Sequence, residues 1–113
     1  MDEEDMYPLD LDSSLYYGLV TDPDTNRVLG SEPWFIKFFA PWCGHCQRLA
    51  PTWEELHIKM FFDLNVASVD CTSDHGAELC KAFQIRSYPT LLYLPHGDTK
   101  YYQYKGPRGL EDL

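Results

Sequence analysis

Residues 34–46 have the sequence WFIKFFAPWCGHC and join a nearly continuous apolar segment to two closely spaced cysteines. Residues 34–40 are too evenly apolar for a half-exposed strand and predict one buried on both faces of an α/β sheet. After the cysteines, apolar residues recur at helical spacing at Leu49, Trp53, Leu56 and Met60. This spacing predicts a helix over about residues 43–61 that packs on the sheet. The cysteines therefore lie where a strand ends and a helix begins.

Cys43 and Cys46 have the spacing of a redox-active pair, with Gly44 and His45 between them. At a helix start, free N–H groups and the helix dipole favour a thiolate, which is the nucleophile in disulfide exchange. Such sites lower a thiol pKa from about 8.5 to roughly 3.5–7.5. His45 is expected to hydrogen-bond or neutralise the thiolate and so favour the reduced form, which makes the pair an oxidant. The alternative for His45 is an incidental surface histidine.

The same cysteine spacing occurs in structural disulfides and in half of a zinc site. Zinc needs further ligands at matching spacing, but Cys71 and Cys80 are not so spaced, and the remaining histidines are scattered along the chain at His57, His75 and His96. The aromatic strand before the pair also fits a redox site better. We therefore expect no metal.

Residues 38–56, FFAPWCGHCQRLAPTWEEL, closely resemble the catalytic domains of the protein disulfide isomerase family, and the likeness extends over about residues 16–113. Those domains have the thioredoxin fold, so the resemblance implies an α/β domain with a mixed central sheet and helices on both faces. It also implies that Cys43 attacks and Cys46 resolves the mixed disulfide. No soluble cofactor is expected beyond the redox-active Cys43–Cys46 disulfide itself.

The length and charge of the chain limit the number of domains and the kinds of partner that it can bind. The chain has 113 residues, enough for one domain with a core of its own. Six of its eighteen acids lie in the first twelve residues, and without them the formal charge of −9 becomes −3. We therefore expect an acidic linker or tail over residues 1–14 and a thioredoxin-like catalytic domain over residues 15–113. With no basic stripe, nucleic acid is not expected as a partner.

Other segments predict the remaining elements. Residues 15–20 predict a first strand, and residues 25–29 predict a poor helix that ends at Gly30. Three further strands are expected at residues 66–69, 90–94 and 100–105. A helix is expected at residues 75–83. The resemblance implies a last helix that begins at residues 110–113 and is incomplete here.

The resemblance also implies a substrate-binding surface made by Trp42, Gly44, Tyr88 and Pro89. Pro89 fits the family's cis-proline loop, which lies against the nucleophilic cysteine and offers the backbone of the preceding residue to an extended substrate. Frequencies alone favour a trans bond, since only about 5–6% of X–Pro bonds are cis. Trp42 is expected to shield the sulfurs and to present an apolar face to unfolded substrates.

Two charged residues are candidates for tuning Cys46. Arg108 falls where the family has an arginine that swings toward the active site and lowers the pKa of the second cysteine; the alternative is an exposed arginine at a helix start. Lys37 departs from the family, which has a buried acid at this position and a lysine partner where Ser68 stands. A buried lysine has a depressed pKa and is expected to accept the Cys46 proton or stabilise its thiolate. The alternative is that it snorkels to water at a sheet edge.

Cys71 and Cys80 bracket a short loop, and some family members have a similar second pair. In an oxidising compartment we expect a structural disulfide, worth about 2.5–3 kcal/mol; two free thiols are the alternative. Four cysteines in so short a chain favour such a compartment. We expect a domain of the endoplasmic reticulum lumen, taken from a longer precursor.

The expected function is thiol–disulfide oxidoreductase and isomerase activity on unfolded secretory proteins that carry cysteines, with a thiol oxidase or glutathione as electron partner. The alternative is a binding module that holds clients in long-lived mixed disulfides. A cytosolic reductase of the thioredoxin type is less favoured, because such proteins usually have proline where His45 stands.

Overall fold

Five strands form one mixed sheet in a computed structural model that describes residues 3–109 and residue 113. The elements in chain order are a 3-10 helix (Glu3–Met6), β1 (Leu9–Leu11), α1 (Ser13–Leu19), β2 (Trp34–Phe39), α2 (Gly44–Lys59), β3 (Asn65–Asp70), α3 (Asp74–Ala82), β4 (Thr90–Leu94) and β5 (Tyr102–Tyr104). The strand order is β1-β3-β2-β4-β5, with β1, β3 and β2 parallel and β4 and β5 antiparallel to their neighbours. Within the described residues, no helix is both long and apolar enough to cross a membrane.

The side chains of β2 alternate between two apolar layers. Ile36 and Phe38 pack in one layer with Tyr16 of α1 and Leu79 of α3. Phe35 packs in the other layer against Trp53 of α2, with ring centroids 4.8 Å apart. Because β3 and β4 cover both edges of β2 and helices cover both faces, five of its six residues are buried. The predicted buried strand and the mixed sheet with helices on both faces are confirmed.

The expected linker over residues 1–14 is wrong from residue 9 onward. Leu9 pairs with Ala67 and Leu11 with Val69, so β1 forms an edge of the sheet, and Leu11 is buried. The free edge of β3 needs a partner for its N–H and C=O groups, and a three-residue segment supplies one. The acidic residues on both sides of this short segment hide its strand pattern in the sequence.

Residues 15–20 are not a strand, because they lie mostly in α1. The side chain of Asp12 accepts hydrogen bonds from the N–H groups of Ser14 and Leu15 at 2.9 and 3.2 Å, which caps the helix. This local cap outweighs the strand preference of the two tyrosines. Tyr17 and Gly18 leave the helical conformation, with Gly18 at a φ of +97°, which glycine adopts without strain.

The other predicted elements are confirmed, with three exceptions. Residues 25–29 form no helix, and Val28 instead bridges Thr21. The last strand is shorter than expected, at Tyr102–Tyr104. The expected final helix over residues 110–113 lies, apart from Leu113, outside the described residues.

A disulfide joins Cys71, directly after β3, to Cys80 in α3, as expected. We expect the Cys71→Ser/Cys80→Ser double variant to unfold with a free energy about 2.5–3 kcal/mol lower, because the unfolded chain regains the entropy of this loop. Urea unfolding followed by tryptophan fluorescence measures the change. A reducing agent is the matched control: it should destabilise the wild type similarly and leave the double variant unchanged. Equal unfolding midpoints for the two proteins would exclude a stabilising role.

Candidate active site

The sulfur of Cys43 occupies the N-cap of α2. Its Sγ accepts a hydrogen bond from the Cys46 N–H at 3.3 Å, in place of the oxygen that usually caps a helix. The Cys46 thiol, the backbone N–H groups of Cys46 and His45, and the charge of Arg48 hold the pKa of Cys43 below its usual value, against the opposing effect of burial. More of Cys43 is therefore thiolate at neutral pH, as attack on a disulfide requires.

Cys46 lies one turn inside α2 and is more deeply buried, with 3% of its surface exposed against 9% for Cys43. Burial, followed by its hydrogen bond to Cys43, raises the pKa of Cys46 to about 11. The two sulfurs are not bonded to each other, so this is the dithiol form. The pKa values separate the two thiols into a ready nucleophile and one that must lose a proton before it reacts.

The Tyr88–Pro89 peptide bond is cis, as the resemblance implies, and its loop lies against the nucleophile. The Cys43 Sγ donates to the Tyr88 carbonyl oxygen at 3.6 Å. The Trp42 ring packs edge-on against the Tyr88 ring, with centroids 5.7 Å apart, and is 71% exposed. Gly44 is the exposed first residue of α2. The Tyr88 carbonyl, the Cys43 sulfur and the exposed Trp42 ring therefore lie side by side.

Lys37 lies beneath α2, with 6% of its surface exposed. Its Nζ is 5.1 Å from the centre of the Phe39 ring and 6.0 Å from that of Trp53, and the residue pairs with Ser68 of β3. Burial lowers the pKa of Lys37, although a thiolate at Cys46 and the carboxylates of Glu54 and Asp10 oppose the shift. Because β2 is the central strand, the alternative in which Lys37 reaches water at a sheet edge is wrong.

His45, Arg48 and Arg108 line a separate cleft of about 220 Å³. Arg48 Nη2 donates to His45 Nδ1 at 2.9 Å, because a guanidinium can only donate. The ring of His45 thus contacts Arg48, and its tuning of the thiolate stays a prediction. Arg108 is exposed, whereas Cys46 lines the cleft that contains Lys37. The effect of Arg108 on Cys46 likewise stays a prediction.

Comparison with known families decides the class of this domain. The profile described as thioredoxin matches residues 20–113. The chain belongs to the thioredoxin family. The match contains all four cysteines and Pro89 but begins after β1 and α1.

Relatives of this thioredoxin-family chain include named disulfide isomerases. A thioredoxin domain-containing protein of Theileria parva is 43% identical over 106 residues, which cover 94% of this chain and 46% of the relative. The protein disulfide-isomerase TMX3 of Homo sapiens is 36% identical over 108 residues, covering 91% of this chain and 23% of the relative. The chain thus spans less than half the length of either curated relative. The human relative confirms the resemblance drawn from the sequence and supports thiol–disulfide oxidoreductase chemistry.

Solved structures confirm the thioredoxin fold. The first thioredoxin domain of mouse protein disulfide-isomerase A4 superposes with a TM-score of 0.70 at 28% identity, covering 90% of this chain and 66% of that one. The J-Trx1 fragment of ERdj5 gives a TM-score of 0.75 at 28% identity, covering 96% of this chain and 49% of that one.

Three charged residues at the site of this thioredoxin-family domain were not predicted from the sequence. Arg48 lies three residues after His45, so its contact was available from helical spacing. Asp10 was assigned to the linker, and only the pairing of β1 brings it near Lys37. Glu54 lies two turns after Cys46 on α2. Among the residues that the structure describes, no three His, Cys, Asp or Glu side chains gather to hold a metal.

Proposed function

We propose that this domain forms, breaks or rearranges disulfide bonds in folding secretory proteins through its Cys43-Gly44-His45-Cys46 site. The observation that carries the proposal is the position of the Cys43 sulfur. It caps α2, has a lowered pKa, and lies 3.6 Å from the Tyr88 carbonyl oxygen beside an exposed Trp42. A nucleophile next to a main-chain carbonyl suits extended peptides of many sequences, because the contact does not depend on the peptide's side chains.

The exchange proceeds in two steps. The Cys43 thiolate attacks a substrate disulfide, one substrate sulfur leaves as a thiolate, and a mixed disulfide forms. Cys46 then attacks the Cys43 sulfur, which closes the Cys43–Cys46 disulfide and releases the second substrate thiol. In the oxidising direction the steps reverse, and a substrate thiolate attacks the closed pair. If another thiol of the same substrate attacks the mixed disulfide before Cys46 does, the substrate leaves with a rearranged disulfide, which is isomerisation.

The proposed setting is the lumen of the endoplasmic reticulum. The Cys71–Cys80 disulfide supports it, because structural disulfides persist in oxidising compartments. The proposed partners are unfolded or partly folded proteins with cysteines, together with a thiol oxidase or glutathione that returns the pair to its starting redox state.

A second candidate is a module that retains clients as long-lived mixed disulfides. The buried thiol of Cys46 favours it, because a pKa of about 11 leaves very little thiolate at pH 7 and slows resolution. The lifetime of the Cys43 mixed disulfide with a peptide separates the two candidates: rapid decay supports exchange, and persistence supports retention.

The redox potential of the Cys43–Cys46 pair tests the proposal. The domain is equilibrated in a glutathione series, alkylated, and digested so that Cys71 and Cys80 are quantified separately by mass spectrometry. We expect a potential near that of the endoplasmic reticulum, about −180 to −210 mV, and catalysis of the refolding of a scrambled disulfide protein. A potential near about −270 mV without refolding activity would instead indicate a reductase. The Cys43→Ser/Cys46→Ser variant provides the baseline for both measurements.

A further inference from the structure

A cleft of about 370 Å³ connects the buried thiol of Cys46 with the buried amine of Lys37. Both residues line it together with Trp53, and all three are buried. Its outer wall includes Tyr7 and Asp10 from the N-terminal segment and Gln47 and Glu54 from α2, and all four are exposed. The cleft therefore leads from the second cysteine to solvent along a route separate from the surface that holds Trp42 and Tyr88.

Lys37 is held in this cleft without a close carboxylate. Among the described residues, no carboxylate oxygen lies within 4.0 Å of its Nζ, and the amine instead lies over the rings of Phe39 and Trp53. The titratable groups that face it are Cys46 and Glu54 from α2 and Asp10 from β1, and Tyr7 lies on the same cleft wall. An ammonium so placed is poorly solvated, so burial shifts Lys37 toward its neutral amine, a form that accepts protons.

Cys46 is the group that would supply this proton. Its thiol must lose a proton before it attacks the Cys43 sulfur, and burial disfavours its thiolate. In its ammonium form Lys37 lowers the pKa of Cys46, so the charge of each group depends on that of the other. The charge of Arg48, in contrast, lowers the pKa of Cys43.

We propose that Lys37 exchanges a proton with the Sγ of Cys46 during the second step of disulfide exchange, and that the cleft beneath the N-terminal segment returns that proton to water. This inference rests on the proposed function and assigns a role to a residue of its site. In the mixed disulfide, the neutral amine takes the Cys46 proton and becomes an ammonium. The thiolate attacks Cys43, the new Sγ–Sγ bond forms, and the substrate leaves as a thiolate. The ammonium then releases its proton to water in the cleft.

In the oxidising direction the same groups act in reverse. A substrate thiolate attacks the Cys43 sulfur, and the Cys43–Cys46 bond breaks. Cys46 leaves as a thiolate and takes the proton of the Lys37 ammonium. The substrate is oxidised by two electrons when its second thiolate displaces Cys43, and the dithiol of the domain is the reduced product.

Single-turnover kinetics with oxidised glutathione as the disulfide test the proposal. Acid quenching and mass spectrometry follow the mixed disulfide from pH 5.5 to 9.5 and give separate rates for its formation by Cys43 and its resolution by Cys46. For Lys37→Met we expect a resolution rate at pH 7 that is at least about tenfold lower, corresponding to a Cys46 pKa about one unit higher. That rate should then rise about tenfold per pH unit, whereas the wild-type rate rises less steeply. The formation rate should stay within about twofold.

Two further variants sharpen the result. Lys59→Met removes a lysine from the exposed C-terminal end of α2, away from the cleft, and should leave both rates unchanged. Lys37→Arg keeps the positive charge but cannot accept a proton at these pH values. If Lys37→Arg resolves the mixed disulfide like the wild type at every pH, charge alone suffices and proton exchange is excluded.

The remaining outcomes separate this inference from the proposed function. A resolution rate unaffected by Lys37→Met would overturn the role of Lys37 while leaving disulfide exchange intact. Absence of any mixed disulfide on Cys43 in Cys46→Ser, which cannot resolve it, would overturn the proposed function itself. Urea unfolding of each variant establishes that it is folded before its rates are compared.

Discussion

Cys43→Ser should remain folded but lose disulfide exchange, with a rate at least roughly 10³-fold below that of the wild type. A serine hydroxyl does not exchange with disulfides, and the structure places no other sulfur at the N-cap of α2. The only other free thiol among the described residues is Cys46, which is 3% exposed and has a pKa of about 11. Single-turnover reduction of a fluorogenic disulfide measures the loss.

Cys46→Ser is the matched control, because it changes the same atom one turn farther along α2. It should retain the first step and accumulate a stable mixed disulfide on Cys43, visible as a mass increase equal to the attached substrate half. Rapid exchange by Cys43→Ser, or equal loss of the first step in both variants, would contradict the division of roles between the two thiols.

Trp53→Ala should lower the free energy of unfolding by about 3–5 kcal/mol, a large share of the roughly 5–15 kcal/mol typical of a whole domain. The Trp53 ring is fully buried and packs on Phe35. Its Nε1 also donates to the carbonyl oxygen of Ala67 at 2.9 Å, so the substitution removes a buried hydrogen bond in addition to leaving a cavity. Urea unfolding followed by circular dichroism measures the change.

Trp42→Ala provides the comparison for the same substitution at an exposed site. Trp42 is 71% exposed, and its removal should change the free energy of unfolding by no more than about 0.5 kcal/mol. It should instead weaken peptide binding beside Cys43. Similar destabilisation by the two substitutions would contradict a stabilising role for the buried Trp53 ring.

The centre of the fold could be predicted from the sequence because its signals are long and consistent. Residues 34–39 are almost uniformly apolar, and the apolar stripe from Leu49 to Leu56 keeps one helical period. The N-terminal elements could not be predicted in the same way. The strand β1 has three residues and depends on the free edge of β3, which is distant in sequence. For α1, Asp12 and the two serines after it were an available capping signal that the aromatic residues obscured.

The candidate site also has parts that the sequence predicts and parts that it does not. Cys43, Cys46 and Pro89 follow from motifs, and the structure places them together around one sulfur. The burial of Lys37 follows from its position in an apolar strand, but its open connection to Cys46 does not. That connection is a cleft between an N-terminal segment and α2, and such spaces arise from packing rather than from any local pattern.

The edge position of β1 has a consequence for the solution behaviour of the protein. Proteolytic loss of residues before Asp12 would leave the outer N–H and C=O groups of β3 unpaired, and unpaired strands of this kind recruit other chains. In the intact protein that risk is low, because the edge strand is only three residues long and carries an exposed carboxylate at Asp10. The short length of β1 and the exposed carboxylate of Asp10 therefore disfavour pairing of this edge with another chain.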